Sequence, residues 1–401
     1  MAPDNQLTIV LPVRDRTAFT RRWLEYHNGI GFPFRVLLAD GGSTEEVAEL
    51  ARDRARFPGL ALDYRRYPYD ATYSDFYAKL DHAVASVETP FVAMVDNDDF
   101  YVVEGLRQAL AFLAGHPEYQ TCGGQSVMFW LRPDSRRDDD GLVYSRRIDW
   151  KSSCDASPDS DATARQRIYN QSLPGANPIY YHVQRTSQLR ARLSVVRSHD
   201  PKNLFMVEQT LDYLTAVAGR SMQLDSIFMA RQQNAPGSSG CAHEQQDGDW
   251  YGRMLVPSWS TDFGNFLEAT SAALAAKDGL APEEARRWIL HCYRITNAHA
   301  LLANLLDNKE VTTSMVLTSL VVRRLVALPS ASLLKRIARR IYRAARWISV
   351  DAVYGFELRT RRVPQAARDF QPIHDFLGRA PETRAAPGAL VEAPTSPGFG
   401  R

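Results

Sequence analysis

The chain has 401 residues, of which 45% are hydrophobic and 23% charged, and its formal net charge is +2. These values are ordinary for a soluble globular protein, and so small a net charge does not indicate a nucleic-acid-binding surface. The four cysteines are widely spaced and form no Cys-x-x-Cys pair, which argues against a zinc site or a disulfide scaffold. The sequence contains neither a signal-peptide pattern nor an apolar run of about 18 residues. We therefore expect a cytoplasmic protein.

Short apolar segments alternate with helical patterns over the first 131 residues. The alternation predicts β-α-β units, and hence an α/β fold with a mostly parallel sheet flanked by helices. The predicted elements are strands at 7–13, 34–39, 60–65, 91–95 and 120–131, and helices at 17–27, 44–56, 75–87 and 104–114. Ser43 and Glu46 match a capping box at the start of the second helix.

The rest of the chain divides by composition. Residues 203–219 predict a helix and residues 224–229 a strand, which would complete a domain over residues 1–235. The Gly/Ser-rich segment 236–261 is expected to be a loop that closes over the active site. Four predicted helices follow, at 262–277, 281–306, 310–327 and 331–349, and form a helical region over residues 262–350. Pro, Ala and Gly dominate residues 380–401, which predicts a disordered tail.

Three aspartates follow the apolar strand at 91–95. Asp96, Asp98 and Asp99 stand where that strand ends, and open α/β sheets bind their ligands at the carboxyl ends of strands. Two carboxylates with one residue between them suit a hard divalent cation that also takes phosphate oxygens. The competing interpretation is a helix cap or a solvated turn. It accounts for Asp99, which precedes a predicted helix, but it does not account for Asp96.

Several segments resemble family 2 glycosyltransferases with the GT-A fold. LTIVLPVRDR, VLLADGGST and AKLDHAVASVETPFVAMVDNDDF are similar to that family in order, spacing and chemistry. YYHVQRTSQLR, MVEQTLDYLTAVAG and LDSIFMARQQ resemble a bacterial subgroup found with surface-polysaccharide genes. The resemblance covers about residues 7–235. It implies transfer of a sugar from a nucleotide-sugar donor to a glycan or lipid-linked glycan, with Mn²⁺ or Mg²⁺ bound against the diphosphate.

The resemblance also implies roles for individual residues on the donor side. Asp96 and Asp98 fill the family's Asp-x-Asp metal motif, and Asn97 stands between them. The implied nucleotide-sugar-binding residues are Pro12, Arg14, Asp40, Lys79, Asp96 and Asn97. Three of these have plain alternatives: Asp40 as a turn residue before two glycines, Arg14 as a surface arginine, and Lys79 as a solvated lysine on a helix.

An inverting transferase needs a general base for the acceptor hydroxyl. Glu208 is the first candidate, and Asp212 lies one turn later on the same helix face. The alternative for both is an exposed acidic pair. His182 is a candidate acceptor contact or a core histidine, and His243, in the Gly/Ser-rich segment, is a candidate late metal ligand.

Residues 331–349 predict an amphipathic helix with apolar positions at helical spacing and basic residues between them. Such a helix either binds an anionic membrane surface or packs on its own domain with a solvated basic face. The first alternative predicts a peripheral protein on the inner face of the cytoplasmic membrane.

Two rival functions remain open from the sequence. A nucleotidyltransferase shares the α/β layout, but it usually has a glycine-rich loop after the first strand, and residues 11–14 contain no glycine. A non-catalytic, membrane-recruited scaffold would keep the fold without the chemistry, and the retained Asp96, Asp98 and Glu208 argue against it.

Overall fold

The computed structural model describes residues 3–133, 142–153, 161–173, 179–238, 254–307 and 363–379. The strands are β1 Leu7–Val13, β2 Arg35–Asp40, β3 Leu62–Arg66, β4 Phe91–Met94, β5 Phe100–Tyr101, β6 Tyr119–Leu131, β7 Ile148–Ser153, β8 Val183–Arg185 and β9 Arg220–Gln232. The helices are α1 Thr17–Gly29, α2 Glu46–Arg52, α3 Tyr73–Ala85, α4 Val103–Gly115, α5 Ala164–Gln171, α6 Thr186–Ser198, α7 Leu204–Ala218, α8 Pro257–Asp278, α9 Pro282–Asp307 and α10 Val363–Gly378.

The described strands form one mixed sheet in the order β3-β2-β1-β4-β8-β6-β9-β5, with β7 paired to β6. β1 is parallel to both β2 and β4, and β2 is parallel to β3. β8 joins this parallel half to β6 through short antiparallel pairings. The predicted α/β class is confirmed. Since β1, β2 and β4 run in the same direction, the segments that follow them meet at one edge of the sheet.

The two faces of β1 belong to two different layers of the core. All seven of its residues are buried, as expected for a central parallel strand. Ile9 and Leu11 pack with α1, α2 and α4 on one face, whereas Val10 packs with α3, α6 and α7 on the other. Helices on both faces therefore hold the strand ends in place, which positions the polar residues that follow them.

The later helices continue the core of the first half. α7 packs against α8, α8 packs against α9, and α5 joins them in a third apolar cluster. These contacts cross the predicted division between residues 235 and 262, which stays a prediction. α10, which was not predicted from the sequence, returns to the sheet: the Phe370 ring centroid lies 5.7 Å from that of Phe129 and 5.6 Å from that of Trp150.

Two local expectations can be compared with the structure. The capping box at Ser43 is wrong, because α2 begins at Glu46 and its cap makes no side-chain hydrogen bond. Ser43 instead donates from its main-chain nitrogen and its hydroxyl to Asp15. A reciprocal capping box occurs at Thr72 and Asp75, at the start of α3.

Several predicted segments cannot be compared in this way. Residues 310–327 and 331–349, the tail 380–401 and most of the expected loop 236–261 lie outside the described residues. Within the described ranges, no helix is both long enough and apolar enough to cross a lipid bilayer.

Candidate functional site

The turn after β4 brings three carboxylates together. Asp96, Asp98 and Asp99 each contribute an oxygen, and these oxygens lie within 4.8 Å of one another. Asp98 is 5% exposed and Asp99 is 3% exposed. The main-chain nitrogen of Asp99 donates to the carbonyl oxygen of Asp96 at 3.2 Å, which closes the turn. Three acidic groups thus converge at the edge where the parallel strands end.

The expectation that Asp99 caps the following helix is wrong. α4 begins at Val103, and its N-cap, Val102, makes no side-chain capping bond. Asp99 instead accepts hydrogen bonds from Arg231 Nε and from the main-chain nitrogen of Gln232, both at 3.0 Å. Burial raises the pKa of Asp99 to about 7, with Arg231 opposing the shift and the neighbouring Asp98 adding to it. Asp99 therefore belongs to the carboxylate group.

Asp96 is held by a neutral partner. The Tyr181 hydroxyl donates to Asp96 Oδ2 at 2.7 Å. Burial raises the pKa of Asp96, and the charge of Asp98 acts in the same direction. Arg231 donates to the Tyr181 oxygen at 3.0 Å and also stacks over the Tyr181 ring at 4.3 Å. Tyr181 therefore links Asp96 to the arginine at the end of β9.

Arginines donate hydrogen bonds to both the side chain and the main chain of Asp98. Arg16 Nη2 donates to Asp98 Oδ2 at 3.1 Å, and Arg22 Nη2 donates to the Asp98 carbonyl oxygen at 3.0 Å. Arg22 is fully buried and also donates to Gln232 Oε1 at 2.8 Å. Burial lowers the pKa of Arg22 to about 10, which still leaves it charged at neutral pH. The turn is therefore tied to both α1 and β9.

Asn97 points to the side of the turn that faces α1. Its amide nitrogen donates to the Thr20 hydroxyl, and its oxygen accepts from Arg16 Nη1, both at 3.1 Å. The Asn97 oxygen thus shares the Arg16 guanidinium group with the Asp98 carboxylate. Contact with a nucleotide-sugar is not tested and stays a prediction.

The donor set fits a hard divalent cation. Carboxylate oxygens within reach of one another are the ligands that Mg²⁺ and Mn²⁺ prefer. Asp98 and Asp99 each already have a guanidinium partner, whereas Asp96 accepts from a phenol. The residues that would hold the ion are Asp96, Asp98 and Asp99, one more carboxylate than the predicted pair.

Glu208 and Asp212 lie on α7, and the charges of Glu208 and Asp96 both affect Tyr180. The pKa of Tyr180 is raised mainly by burial, then by the charges of Asp96 and Glu208. The pKa of Asp212 is raised well above its usual value by burial first and by Glu208 second, while a hydrogen bond with Gln171 opposes the shift. The charge of Glu208 thus reaches Asp212, and the raised pKa of Asp212 favours the protonated form of that carboxyl group.

Asp40, the candidate contact for the nucleotide base, is fully buried. One oxygen accepts from the main-chain nitrogen of Gly42 at 2.8 Å, and the other accepts from Tyr64 at 2.9 Å and from Arg66 at 2.6 Å. Asp40 therefore shapes the turn after β2. Contact with a base stays a prediction, and Tyr64 and Arg66 are the more exposed groups beside it.

Lys79 is not a solvated lysine. Its side chain is 2% exposed and pairs with Asp70, whose side chain is 0% exposed. Its ammonium also donates to the Val13 carbonyl oxygen at 2.9 Å. Arg14, which is exposed, donates to the Asp70 carbonyl oxygen at 3.1 Å. Lys79 thus connects the end of β1 to the segment after β3, and binding of a nucleotide by Lys79 or Arg14 is not tested.

The remaining predicted site residues lie in different surroundings. Pro12 is buried within β1, opposite Ala39. His182 is 3% exposed, burial lowers its pKa to about 3, and its ring fills the space that a Cβ at Gly123 would need. This agrees with a core histidine, and the acceptor role is not tested. His243 lies outside the described residues.

Sequence reasoning missed Arg16, Arg231 and Tyr181. Each of them lay in a segment that carried the family resemblance, but their partners lie far away along the chain. Arg231 is 132 residues from Asp99, and Tyr181 is 85 residues from Asp96. For Arg16 the available signal was its position just after β1, because β1 pairs with the strand that precedes the aspartates.

The comparisons with known proteins give distant likenesses. Neither a protein-family model nor a curated protein matches the sequence. The similar solved structures include the glycosyltransferase TarS of S. aureus. Residues 1–349 of TarS in complex with UDP are 16% identical, with a TM-score of 0.38, and the match covers 73% of this chain and 91% of that one. The complex with UDP-GlcNAc is 14% identical, with a TM-score of 0.35 and the same coverage.

A longer TarS structure is 14% identical, with a TM-score of 0.37, and the match covers 73% of this chain and 55% of that one. The chain thus spans about half of that structure. Likenesses at this level do not define the activity of the chain.

Proposed function

We propose that this chain is a metal-dependent, inverting glycosyltransferase. It would move a sugar from a nucleotide-sugar donor to a glycan or lipid-linked glycan acceptor in the synthesis of cell-surface polysaccharide. The observation that carries the proposal is the convergence of Asp96, Asp98 and Asp99 at the edge where parallel strands end. Glu208 is the candidate base, and its charge, like that of Asp96, raises the pKa of Tyr180. A diphosphate–metal site and a base for the acceptor are the two parts that this reaction needs.

In the proposed reaction the three aspartates, Glu208 and Asp212 have different roles. Mn²⁺ or Mg²⁺, when bound by Asp96, Asp98 and Asp99, offsets the negative charge that develops on the leaving diphosphate. Glu208 accepts the proton of the acceptor hydroxyl while that oxygen bonds to the anomeric carbon and the bond from this carbon to the diphosphate breaks. Asp212, coupled to Glu208, orients it. Attack from the side opposite the diphosphate inverts the anomeric configuration.

The donor is tested with a panel of nucleoside diphosphates and nucleotide-sugars, with Mn²⁺ and with a chelator. We expect the nucleoside diphosphate with the recognised base to raise the melting temperature of the protein when Mn²⁺ is present. We expect the matching nucleotide-sugar to release its nucleoside diphosphate. Absence of both effects across the panel would contradict the proposal.

The same assays separate the rival functions. A nucleotidyltransferase would consume a nucleoside triphosphate and a sugar phosphate, and would release pyrophosphate instead of a nucleoside diphosphate. A scaffold would bind a nucleotide without any metal-dependent turnover. Either result would replace the glycosyltransferase proposal.

Attachment to a membrane is proposed from the sequence of residues 331–349, which lie outside the described residues. Each basic residue near an anionic surface contributes about 1 kcal/mol to binding. We expect the protein to sediment with vesicles that contain anionic lipid and not with neutral vesicles. Equal sedimentation with both would contradict electrostatic docking, and would leave the proposed reaction unaffected.

A further inference from the structure

The guanidinium group of Arg16 contacts the cluster of three aspartates from the side on which α1 lies. Its Nη2 donates to Asp98 Oδ2 and its Nη1 donates to Asn97 Oδ1, both at 3.1 Å. The Arg16 side chain is 18% exposed and that of Asp98 is 7% exposed. An arginine thus holds one oxygen of the set that would bind a divalent cation.

The backbone has an uncommon conformation at Arg16 and at the residue before it. Asp15 and Arg16 have φ angles of 56° and 55°, in the left-handed region that residues with a side chain seldom adopt. Asp15 is held by two hydrogen bonds from Ser43, and the Arg16 carbonyl oxygen accepts from the nitrogens of Phe19 and Thr20 at the start of α1. Such conformations persist where surrounding contacts enforce them, and they cluster at functional sites.

Arg16 and Arg231 each donate from two nitrogens and stack on one aromatic ring, but they differ at the remaining nitrogen. Arg231 pairs with Asp99, donates to Tyr181 and stacks on the Tyr181 ring. Arg16 stacks on Phe19 at 4.2 Å, but its Nε is buried and has no hydrogen-bond partner among the described residues. Of the two guanidinium groups, Arg16 is therefore the one with a buried nitrogen that lacks a hydrogen-bond partner among the described residues.

We propose that Arg16 is a built-in counter-ion of Asp98 that gives up this carboxylate when a divalent cation binds, and then pairs with the diphosphate of the donor. The inference rests on the proposed function for its second step. A divalent cation and a guanidinium group repel each other across one carboxylate, so the two compete for Asp98. The nearest new anion for a released Arg16 is the diphosphate, whose oxygens match the planar donors of arginine.

The competition makes a prediction about metal affinity without any nucleotide. Mn²⁺ binding to the full chain is measured by the electron paramagnetic resonance signal of free Mn²⁺, for wild type, Arg16→Gln and Arg16→Lys. We expect Arg16→Gln to bind Mn²⁺ at least about tenfold more tightly, because the competing charge is gone, and Arg16→Lys to stay near wild type. As a control, Arg21→Gln removes an exposed arginine from α1, the helix that follows Arg16, and should leave the affinity unchanged.

The second measurement is the affinity for the nucleoside diphosphates of the panel at saturating Mn²⁺. We expect Arg16→Gln to bind the recognised diphosphate about tenfold more weakly while it binds Mn²⁺ more tightly. If Arg16 had only a structural role, its replacement would weaken the binding of both Mn²⁺ and the diphosphate. Circular dichroism and thermal unfolding verify that each variant is folded.

Three results would overturn the inference: unchanged or weaker Mn²⁺ binding in Arg16→Gln, the same tightening in Arg21→Gln, or no binding of millimolar Mn²⁺ by any variant. Failure of the glycosyltransferase proposal looks different. In that case no nucleoside diphosphate of the panel binds to wild type, whereas Arg16→Gln still tightens Mn²⁺ binding.

Discussion

Two buried acidic regions at the same edge of the sheet are built in opposite ways. Beside β1 and β2, one carboxylate meets one ammonium group: Asp70 and Lys79 are 0% and 2% exposed at their side chains. After β4, three carboxylates share a turn. Two of them pair with arginines, and Asp96 accepts from the hydroxyl of Tyr181.

The difference predicts that the first region is a scaffold and that the second is a site. The charges of the first pair match, and removal of one partner from such a buried pair leaves an uncompensated charge. A group of carboxylates that crowd one another is held in an unfavourable state that a cation relieves. We therefore expect changes in the first region to lower stability, and changes in the second to lower activity.

The largest expected effect is that of Glu208→Gln on turnover. Loss of a general base lowers the rate by about a hundredfold to ten-thousandfold. Because Glu208 is only partly buried, its replacement should leave the free energy of unfolding nearly unchanged. Steady-state kinetics and urea denaturation measure the two quantities.

The matched variant is Asp212→Asn. Because we assign Asp212 an orienting role, we expect its replacement to lower kcat less than the replacement of Glu208 does. If Asp212→Asn is the more damaging change, the two roles are exchanged. If neither variant lowers kcat, the acceptor base lies elsewhere.

The second effect is the loss of stability in Lys79→Met. Removal of one partner from a buried ion pair lowers the free energy of unfolding by about 3–5 kcal/mol. The control is Arg65→Met, which breaks an ion pair to Asp63 whose side chains are 38% and 58% exposed. Exposed pairs contribute about 0–1 kcal/mol. Equal losses in the two variants, measured by urea denaturation, would remove the distinction between the regions.

The smallest expected effect is a difference between wild type and Asp99→Asn in how the free energy of unfolding depends on pH. The pKa of Asp99 is raised to about 7 in the folded protein, so between about pH 4 and 7 the folded state binds more protons than the unfolded state. This carboxyl group therefore contributes stability that is present at low pH and is lost as the pH rises through about 7.

In the presence of a chelator, wild type should lose about 1 kcal/mol per pH unit relative to Asp99→Asn across that range. The comparison of the two proteins removes the contribution of His27 and His182, whose pKa values are both lowered to about 3 by burial and which act in the opposite direction. Urea denaturation at several pH values within that range measures the slopes. Parallel slopes in the two proteins would contradict the raised pKa of Asp99.

Part of this arrangement was predictable because it depends on strand direction. Alternating strands and helices imply a parallel sheet, and parallel strands place their following residues at one edge. Asp96 and Asp98 could therefore be located from the apolar run before them. The assignment of Asp99 as a helix cap was wrong, because it depended on where the next helix begins. α4 begins only at Val103, four residues after Asp99.

The partners of the charged residues were not predictable. Lys79 and Asp40 are buried because Asp70, Tyr64 and Arg66 come to them from β3 and the segment that follows it. Periodicity reports which face of an element is apolar, but it does not report which distant polar group meets a given side chain. The scaffold and the site therefore look alike in the sequence and differ only in their long-range contacts.

The most direct test of the account is the metal-dependent release of nucleoside diphosphate from the recognised nucleotide-sugar, compared between wild type and Asp98→Asn. Because the charge of a bound metal stabilises the transition state by several kcal/mol, we expect the variant in Mn²⁺, and wild type in a chelator, to be slower by at least about a hundredfold. Both proteins should remain folded by circular dichroism. Turnover that is equal in wild type and Asp98→Asn, or indifferent to the chelator, would contradict the claim that these carboxylates form a catalytic metal site.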